Sequence, residues 1–333
     1  MRGLLLVNLG TPDSPKVKDV RKYLMEFLSD PMVIDTHPLV RWLLVHFIIA
    51  PFRSRSSSKL YKKLWTERGS PLLYHGIDLK FQLARLLGSQ WKVAFGMRYG
   101  NPSIESAINT VMSTEDLTVF LLFPQYSMAA FESAKVKVNS ELLRLGYTGK
   151  VNFVSPYFDH PAFIKVFSDL ARPLVANYKK VFFTFHGLPV RHCRKSSPES
   201  TKCTVDKTCC DSIREDNRNC YRAQCFSTAR AMAKNLGLHE FEVVFQSRFG
   251  RDPYIQPFAD QRLFESVNDG IDSVLYISPS FTADCLETVE EVGTGFKSEF
   301  LQRGGKDFLL VESLNSSPEW GKAILEICKI PLP

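Results

Sequence analysis

Val181-Phe182-Phe183-Thr184-Phe185-His186-Gly187 is the stretch on which the fold turns. Large apolar side chains follow one another without alternation, then stop at a histidine and a glycine. A short continuous apolar run suits a strand buried on both faces, as in parallel sheets. A polar residue at the end of such a run sits at the carboxyl end of its strand, where open α/β sheets bind ligands.

Seven further runs share this character: Leu4–Val7, Val93–Phe95, Val119–Phe123, Val151–Val154, Val243–Phe245, Val274–Ile277 and Phe308–Val311. Segments with helical spacing separate several of them, among them Ile104–Met112, Ser133–Leu145, Phe163–Asn177 and Phe226–Leu236. Strands alternating with helices imply crossover connections and a doubly wound sheet. Four runs fall before residue 155 and four after it. The expected architecture is therefore α/β, with two Rossmann-like doubly wound halves, each holding a four-stranded parallel sheet, and a cleft between them. Two segments break the rhythm: Asp30–Ser58, hydrophobic and then basic and serine-rich, and Cys193–Cys225, polar and crowded with cysteine.

A chain of 333 residues with 44% hydrophobic content can bury a sizeable core without disulfides. The formal charge of +7 is spread along the sequence and fits an acidic ligand or an anionic membrane surface. No recognition helix or aromatic RNA-binding motif is present, so nucleic acid is set aside. Met1-Arg2 leads straight into Leu4–Asn8, too short for a signal core, and Leu39–Phe52 is too short to span a bilayer. The reading is cytoplasmic, so clustered cysteines point to metal rather than disulfides.

Dinucleotide, Walker and nucleophile-elbow patterns are all missing, which removes weight from nucleotide and hydrolase chemistry. His186, placed before the turn-forming Gly187, can accept a proton or bind a metal near neutral pH, unless it is an ordinary core histidine. Asp284, Glu287 and Glu291 are spaced i, i+3, i+7, so an α-helix puts them on one face. Such a ladder can pass cations or protons, or can simply cap a solvated helix. Cys203, Cys209, Cys210, Cys220 and Cys225, with Cys193 upstream, suit zinc or an iron–sulfur cluster, though no clean pair of CxxC units is present. Leu39–Phe52, with Trp42 and Phe47 and a basic hem of Arg53, Arg55 and Lys59, suits a membrane interface.

Several motifs in order resemble the ferrochelatase family, closest to its Gram-negative bacterial type. They are Val7–Pro12, Gly69–Leu72, Gly96–Gly100, Phe123–Ser127, Phe185–Pro189, Phe245–Pro253, Ala283–Thr288 and Ser313–Asn315. The resemblance implies an enzyme that inserts Fe²⁺ into protoporphyrin IX to give haem, with ferrous iron and porphyrin as substrates. The rivals are a coproporphyrin chelatase, a cobalt or nickel chelatase, and a non-catalytic porphyrin carrier. The resemblance implies His186 and Glu287 as the opposed catalytic groups that handle iron and protons, with Asp284 and Glu291 along the path. Leu9, Arg98, Tyr99 and Tyr254 become porphyrin-binding positions, and Arg98, Arg53 or Arg55 can meet propionates. Position 254 is Tyr where Trp is common, position 285 is Cys where animal members carry His, and Gly295 stands where their acidic ladder continues.

The resemblance also divides the chain. It implies a first half of 1–155 plus 316–333 with a membrane-facing lip at 30–58, and a second of 156–315 with the cysteine-rich insertion at 193–225. That insertion resembles a subgroup with an internal 2Fe–2S cluster. Cys328 stands alone, which excludes a C-terminal one. The expected ligands are Cys203, Cys210, Cys220 and Cys225, with Cys209 as the alternate to Cys210 because adjacent side chains should diverge. Cys193 is expected to be a spare thiol. The chain is expected to be a monomer or homodimer, cytoplasmic, with peripheral contact to the inner membrane through 39–52.

Overall fold

All eight apolar runs are strands in the computed structural model, which describes residues 1–197, 207–248 and 252–331. In chain order they are β1 (Arg2–Thr11), β2 (Trp91–Gly100), β3 (Asp116–Leu121), β4 (Lys150–Phe153), β5 (Lys180–His186), β6 (Glu242–Gln246), β7 (Ser273–Ile277) and β8 (Asp307–Leu310). They form two four-stranded sheets, β2-β1-β3-β4 and β6-β5-β7-β8, parallel throughout. Leu4, Leu5, Leu6 and Val7 in β1 and Phe182, Phe183 and Phe185 in β5 are fully buried. Both faces of these central strands are covered, which is why the runs lack alternation.

The chain divides into two units. The first comprises Met1–Phe123, Met128–Ser155 and Asn315–Pro333; the second comprises Pro124–Ser127 and Pro156–Leu314. In the first, the helix Pro318–Ile327 starts on Ser317, whose side chain accepts from the Trp320 N–H. It sets the buried Trp320 ring edge-on to Phe120 of β3, with centroids 6.1 Å apart. In the second, Tyr276 of β7 stacks between Phe182 at 4.8 Å and Phe308 at 4.9 Å. Val244, Leu263, Val292 and Phe300 complete that core.

Each sheet has the same switch point. From β1 the chain goes to β2 on one side and then to β3 on the other; β5, β6 and β7 repeat the pattern. Open α/β sheets bind ligands beyond the carboxyl ends of the two strands where the order reverses. In the second unit this places His186, which ends β5, beside the segment that follows β7 and leads to the acidic helix. In the first it places Leu9 and the segment after β3. Among the described residues, no helix is long and apolar enough to cross a membrane.

Candidate active site

His186 is the last residue of β5 and is half-buried. Its Nδ1 lies 2.8 Å from the Gly187 carbonyl oxygen. A carbonyl only accepts, so Nδ1 carries the proton and the neutral ring keeps its lone pair on Nε2. Gly187 is required by close approach: a Cβ there would stand 2.7 Å from the Gln246 carbonyl oxygen, which accepts the Gly187 N–H at 2.6 Å. The Phe281 ring, after β7, lies 6.4 Å from the imidazole.

The acids sit on an unusual helix. Glu287–Phe296 is a π-type helix ten residues long, with bonds that reach five residues back instead of four. Asp284 precedes it and does not share its face, which corrects the expected i, i+3, i+7 ladder. The helix begins too late for Asp284, whose Oδ1 accepts instead from the Ser313 N–H at 3.3 Å and the Thr288 hydroxyl at 3.4 Å. Glu287 and Glu291 remain, one wide turn apart. The Ser247 hydroxyl and main-chain N–H both donate to the Glu291 carboxylate. Burial raises the Glu291 pKa; Ser247 and the His186 ring oppose that rise, while Glu287 adds to it, and the balance stays upward. Glu291 is thus within electrostatic reach of both His186 and Glu287. Buried Cys285, just ahead of Glu287, has its thiol pushed well above the ordinary value by burial and then by Glu287.

Tyr254 belongs to the same unit and approaches the same point. The segment Pro253–Ile255 runs antiparallel to Leu188–Val190, through Val190 N to Pro253 O at 2.8 Å and Ile255 N to Leu188 O at 3.0 Å. Its ring packs over Gly187. His186, Glu287, Glu291 and Tyr254 therefore all come from the second unit.

Leu9, Arg98 and Tyr99 belong to the first unit. Leu9 is half-buried at the carboxyl end of β1, its N–H held by the Asn8 side chain at 2.8 Å. Arg98 is engaged within its own unit. Its Nη2 bonds Asp30 Oδ2 at 2.5 Å and its Nε bonds the Ser133 hydroxyl at 2.8 Å. The two side chains of that ion pair are only 15% and 4% exposed. Tyr99, expected on the pocket wall, is fully buried and donates its hydroxyl to Asp30 at 2.8 Å. Burial alone would raise the Asp30 carboxyl. Hydrogen bonds from Ser133, the Met32 N–H and Tyr99, with the charge of Arg98, outweigh it and hold the group below the ordinary carboxylate value. Nothing in the sequence marked Asp30 or Ser133 for this, because they lie 68 and 35 positions from Arg98.

Of the expected cluster ligands, Cys203 lies outside the described residues. Cys209, Cys210, Cys220 and Cys225 are buried. Cys209 and Cys210 do not diverge: on the tight turn Lys207–Cys210 their sulfurs are 3.7 Å apart. Cys210, Cys220 and Cys225 interact electrostatically, and the Cys210 thiol is pushed up to about 12, chiefly by burial. Arg222 Nη1 reaches the Cys210 sulfur at 2.9 Å. Among the described residues, no three His, Cys, Asp or Glu side chains already stand in the arrangement of a bound metal.

Known proteins resemble this chain along its whole length. The ferrochelatase family model matches residues 1–330. A ferrochelatase of Legionella pneumophila (strain Lens) is 41% identical over 328 residues, 98% of each chain. One of Coxiella burnetii (strain CbuK_Q154) is 42% identical over 333 residues, 98% of this chain and 93% of that one. Among solved structures, SirB from Bacillus subtilis with Fe³⁺ shares the fold with a TM-score of 0.53 at 10% identity, covering 98% of this chain and 94% of that chain. The eight strands, the histidine at the end of β5, the acidic helix after β7 and the family match over nearly every residue lead to one conclusion: the chain belongs to the ferrochelatase family.

Proposed function

We propose that this chain is a lyase that inserts Fe²⁺ into protoporphyrin IX, forming haem and releasing two protons. The observation that carries the reading is the gathering of a histidine with a free Nε2 and two glutamates at one sheet end. A planar macrocycle hides its nitrogen lone pairs, so insertion needs ring bending, proton removal and a metal donor. His186 Nε2 takes a pyrrole proton or presents iron; Glu287 does the complementary task. Glu291, with its raised affinity for protons, carries them onward. Asp284 keeps a place at the head of that path by fixing the turn ahead of the helix. Leu9 and Tyr254 contact the macrocycle as apolar surfaces. Arg98 and Tyr99 contribute by holding Asp30 and the end of β2.

Purified protein, mixed anaerobically with Fe²⁺ and protoporphyrin, should lose porphyrin fluorescence and gain haem absorbance. Faster turnover with coproporphyrin, or with Co²⁺ or Ni²⁺ in place of iron, would move the substrate assignment. Tight porphyrin binding without metallation would leave a carrier.

Two further assignments belong to this reading. The helical segment from Pro38 to Leu64 exposes Trp42 (49%), Phe47 (61%) and Phe52 (75%). Aromatic side chains above a basic hem support peripheral contact with the inner membrane, on its cytoplasmic face, through 39–52. Cys210, Cys220 and Cys225, with Cys203 as fourth ligand and Cys209 as alternate to Cys210, would hold a 2Fe–2S cluster. Buried, mutually interacting thiols beside Arg222 suit a net negative thiolate cluster. Bound there, it would supply a one-electron redox centre and tie together the residues that hold it. Its visible spectrum and acid-labile sulfide after anaerobic purification test it; about one zinc per chain would replace it.

A further inference from the structure

We propose that Gln246 and Thr184 are positioning residues, a strut that sets where Glu287 stands relative to His186; this rests on the reading of those two groups given above. Gln246 ends β6, is 2% exposed, and pairs in register with His186. A buried primary amide needs partners at both ends. Its Nε2 lies 3.2 Å from the Glu287 carbonyl oxygen, a pure acceptor, so this end must be the donor. Its Oε1 then accepts the Thr184 hydroxyl at 2.8 Å. The chain of donation runs from Thr184, two residues before His186 on β5, through Gln246 to the main chain of Glu287. One end of the strut is the main chain of Glu287 itself, and the other is two residues from His186.

The main chain of Gln246 works to the same end. Its carbonyl oxygen takes the Gly187 N–H at 2.6 Å and so fixes the turn behind His186. The next residue, Ser247, has φ 62°, left-handed backbone for a residue with a Cβ. Such strain persists where the surroundings over-determine it. Here it accompanies the two bonds from Ser247 to Glu291. Gln246 and Ser247 therefore grip the acidic helix at two points, the Glu287 carbonyl and the Glu291 carboxylate. The helix has no side-chain cap of its own. A displacement of about 1 Å at a reacting group can lower rate about a hundredfold.

The test uses the full-length protein, with kcat and KM measured for porphyrin and Fe²⁺. Gln246→Met keeps the bulk and removes both bonds. We expect kcat to fall about tenfold to a hundredfold with both KM values within about twofold. Thr184→Val should reproduce part of that loss, and Thr184→Ser, which keeps the hydroxyl, should recover about half or more of kcat. The double variant Thr184→Val/Gln246→Met should be no slower than Gln246→Met alone, since both break one strut. In substrate-free protein, amide exchange in the first turn of the acidic helix should quicken in Gln246→Met. Losses that multiply in the double variant, a loss confined to KM, or unchanged exchange would overturn the proposal. If the wild type binds porphyrin but inserts no metal, the proposed reaction fails, and the exchange result still decides the strut. If Gln246→Met does not fold, the contrast between Thr184→Val and Thr184→Ser decides it.

Discussion

The two sheets share one strand order, yet their carboxyl ends are furnished in opposite ways. At the end of β2 the charges are closed on themselves. Arg98 meets Asp30, Tyr99 and Ser133 complete the shell, and the network is nearly sealed from solvent. At the end of β5 they stay open. The groups acting on Glu291 are a serine, a histidine and a second carboxylate. A carboxylate already neutralised by arginine is scaffold. Carboxylates left without an arginine partner attract a cation or hold a proton. Identical topology thus yields a brace in one unit and the proposed reactive site in the other.

The comparison breaks first at His186. His186→Ala should lower metal insertion by about 10²–10⁴-fold while thermal stability and porphyrin binding persist. Retention of more than about a tenth of wild-type turnover would place the reaction elsewhere.

The brace should fail in the opposite manner. Asp30→Asn leaves Arg98 buried without its counter-ion and should destabilise the fold by about 3 kcal/mol, read by urea unfolding. Its pH dependence has a fixed sign. The Asp30 carboxyl is held below the ordinary value in the folded protein. Its contribution is therefore present above the ordinary carboxylate range and lost as pH falls through the lower folded value. Asp30→Asn should flatten that acid limb. An unchanged limb would mean the ion pair contributes little.

Glu291 sharpens the contrast because its shift runs the other way. A carboxyl whose folded value is raised destabilises the fold as pH climbs from the ordinary range through that raised value. Glu291→Gln should therefore be more stable than wild type at neutral pH, and equal to it in acid below the ordinary range. Turnover should fall by about tenfold, less than for His186→Ala. A variant less stable at neutral pH would show that Ser247 outweighs burial. The smallest effect on stability belongs to the first unit's surface. Replacing Trp42 and Phe47 by Ser should weaken binding to anionic vesicles while changing stability by about 1 kcal/mol or less. A collapse in thermal stability would make that segment core.

The eight strands were readable because burial on both faces leaves a continuous apolar run, as in Phe182, Phe183 and Phe185. His186 was readable for the same reason: the run stops there and Gly187 follows. The acidic helix was readable as a helix but not in its winding. Periodicity assumes 3.6 residues per turn, whereas Glu287–Phe296 is wider, and Asp284 falls outside it. Asp30 and Ser133 carried no signal because their partner Arg98 is distant in sequence. Gln246 did carry one: a glutamine closing the apolar run Val243–Phe245 needs a buried partner, though nothing local names Glu287.

The tautomer of His186 has a consequence in stoichiometry. Nδ1–H is committed to the Gly187 carbonyl, so the ring has one vacancy for a proton, on Nε2. In the proposed reaction a porphyrin sheds two protons for each iron it receives. One vacancy cannot hold both. Either the first proton leaves Nε2 before the second arrives, or the second departs by a carboxylate. The Gly187 carbonyl decides which nitrogen offers the vacancy, so in the proposed turnover Nε2 serves one proton at a time and the other waits for it or takes a carboxylate.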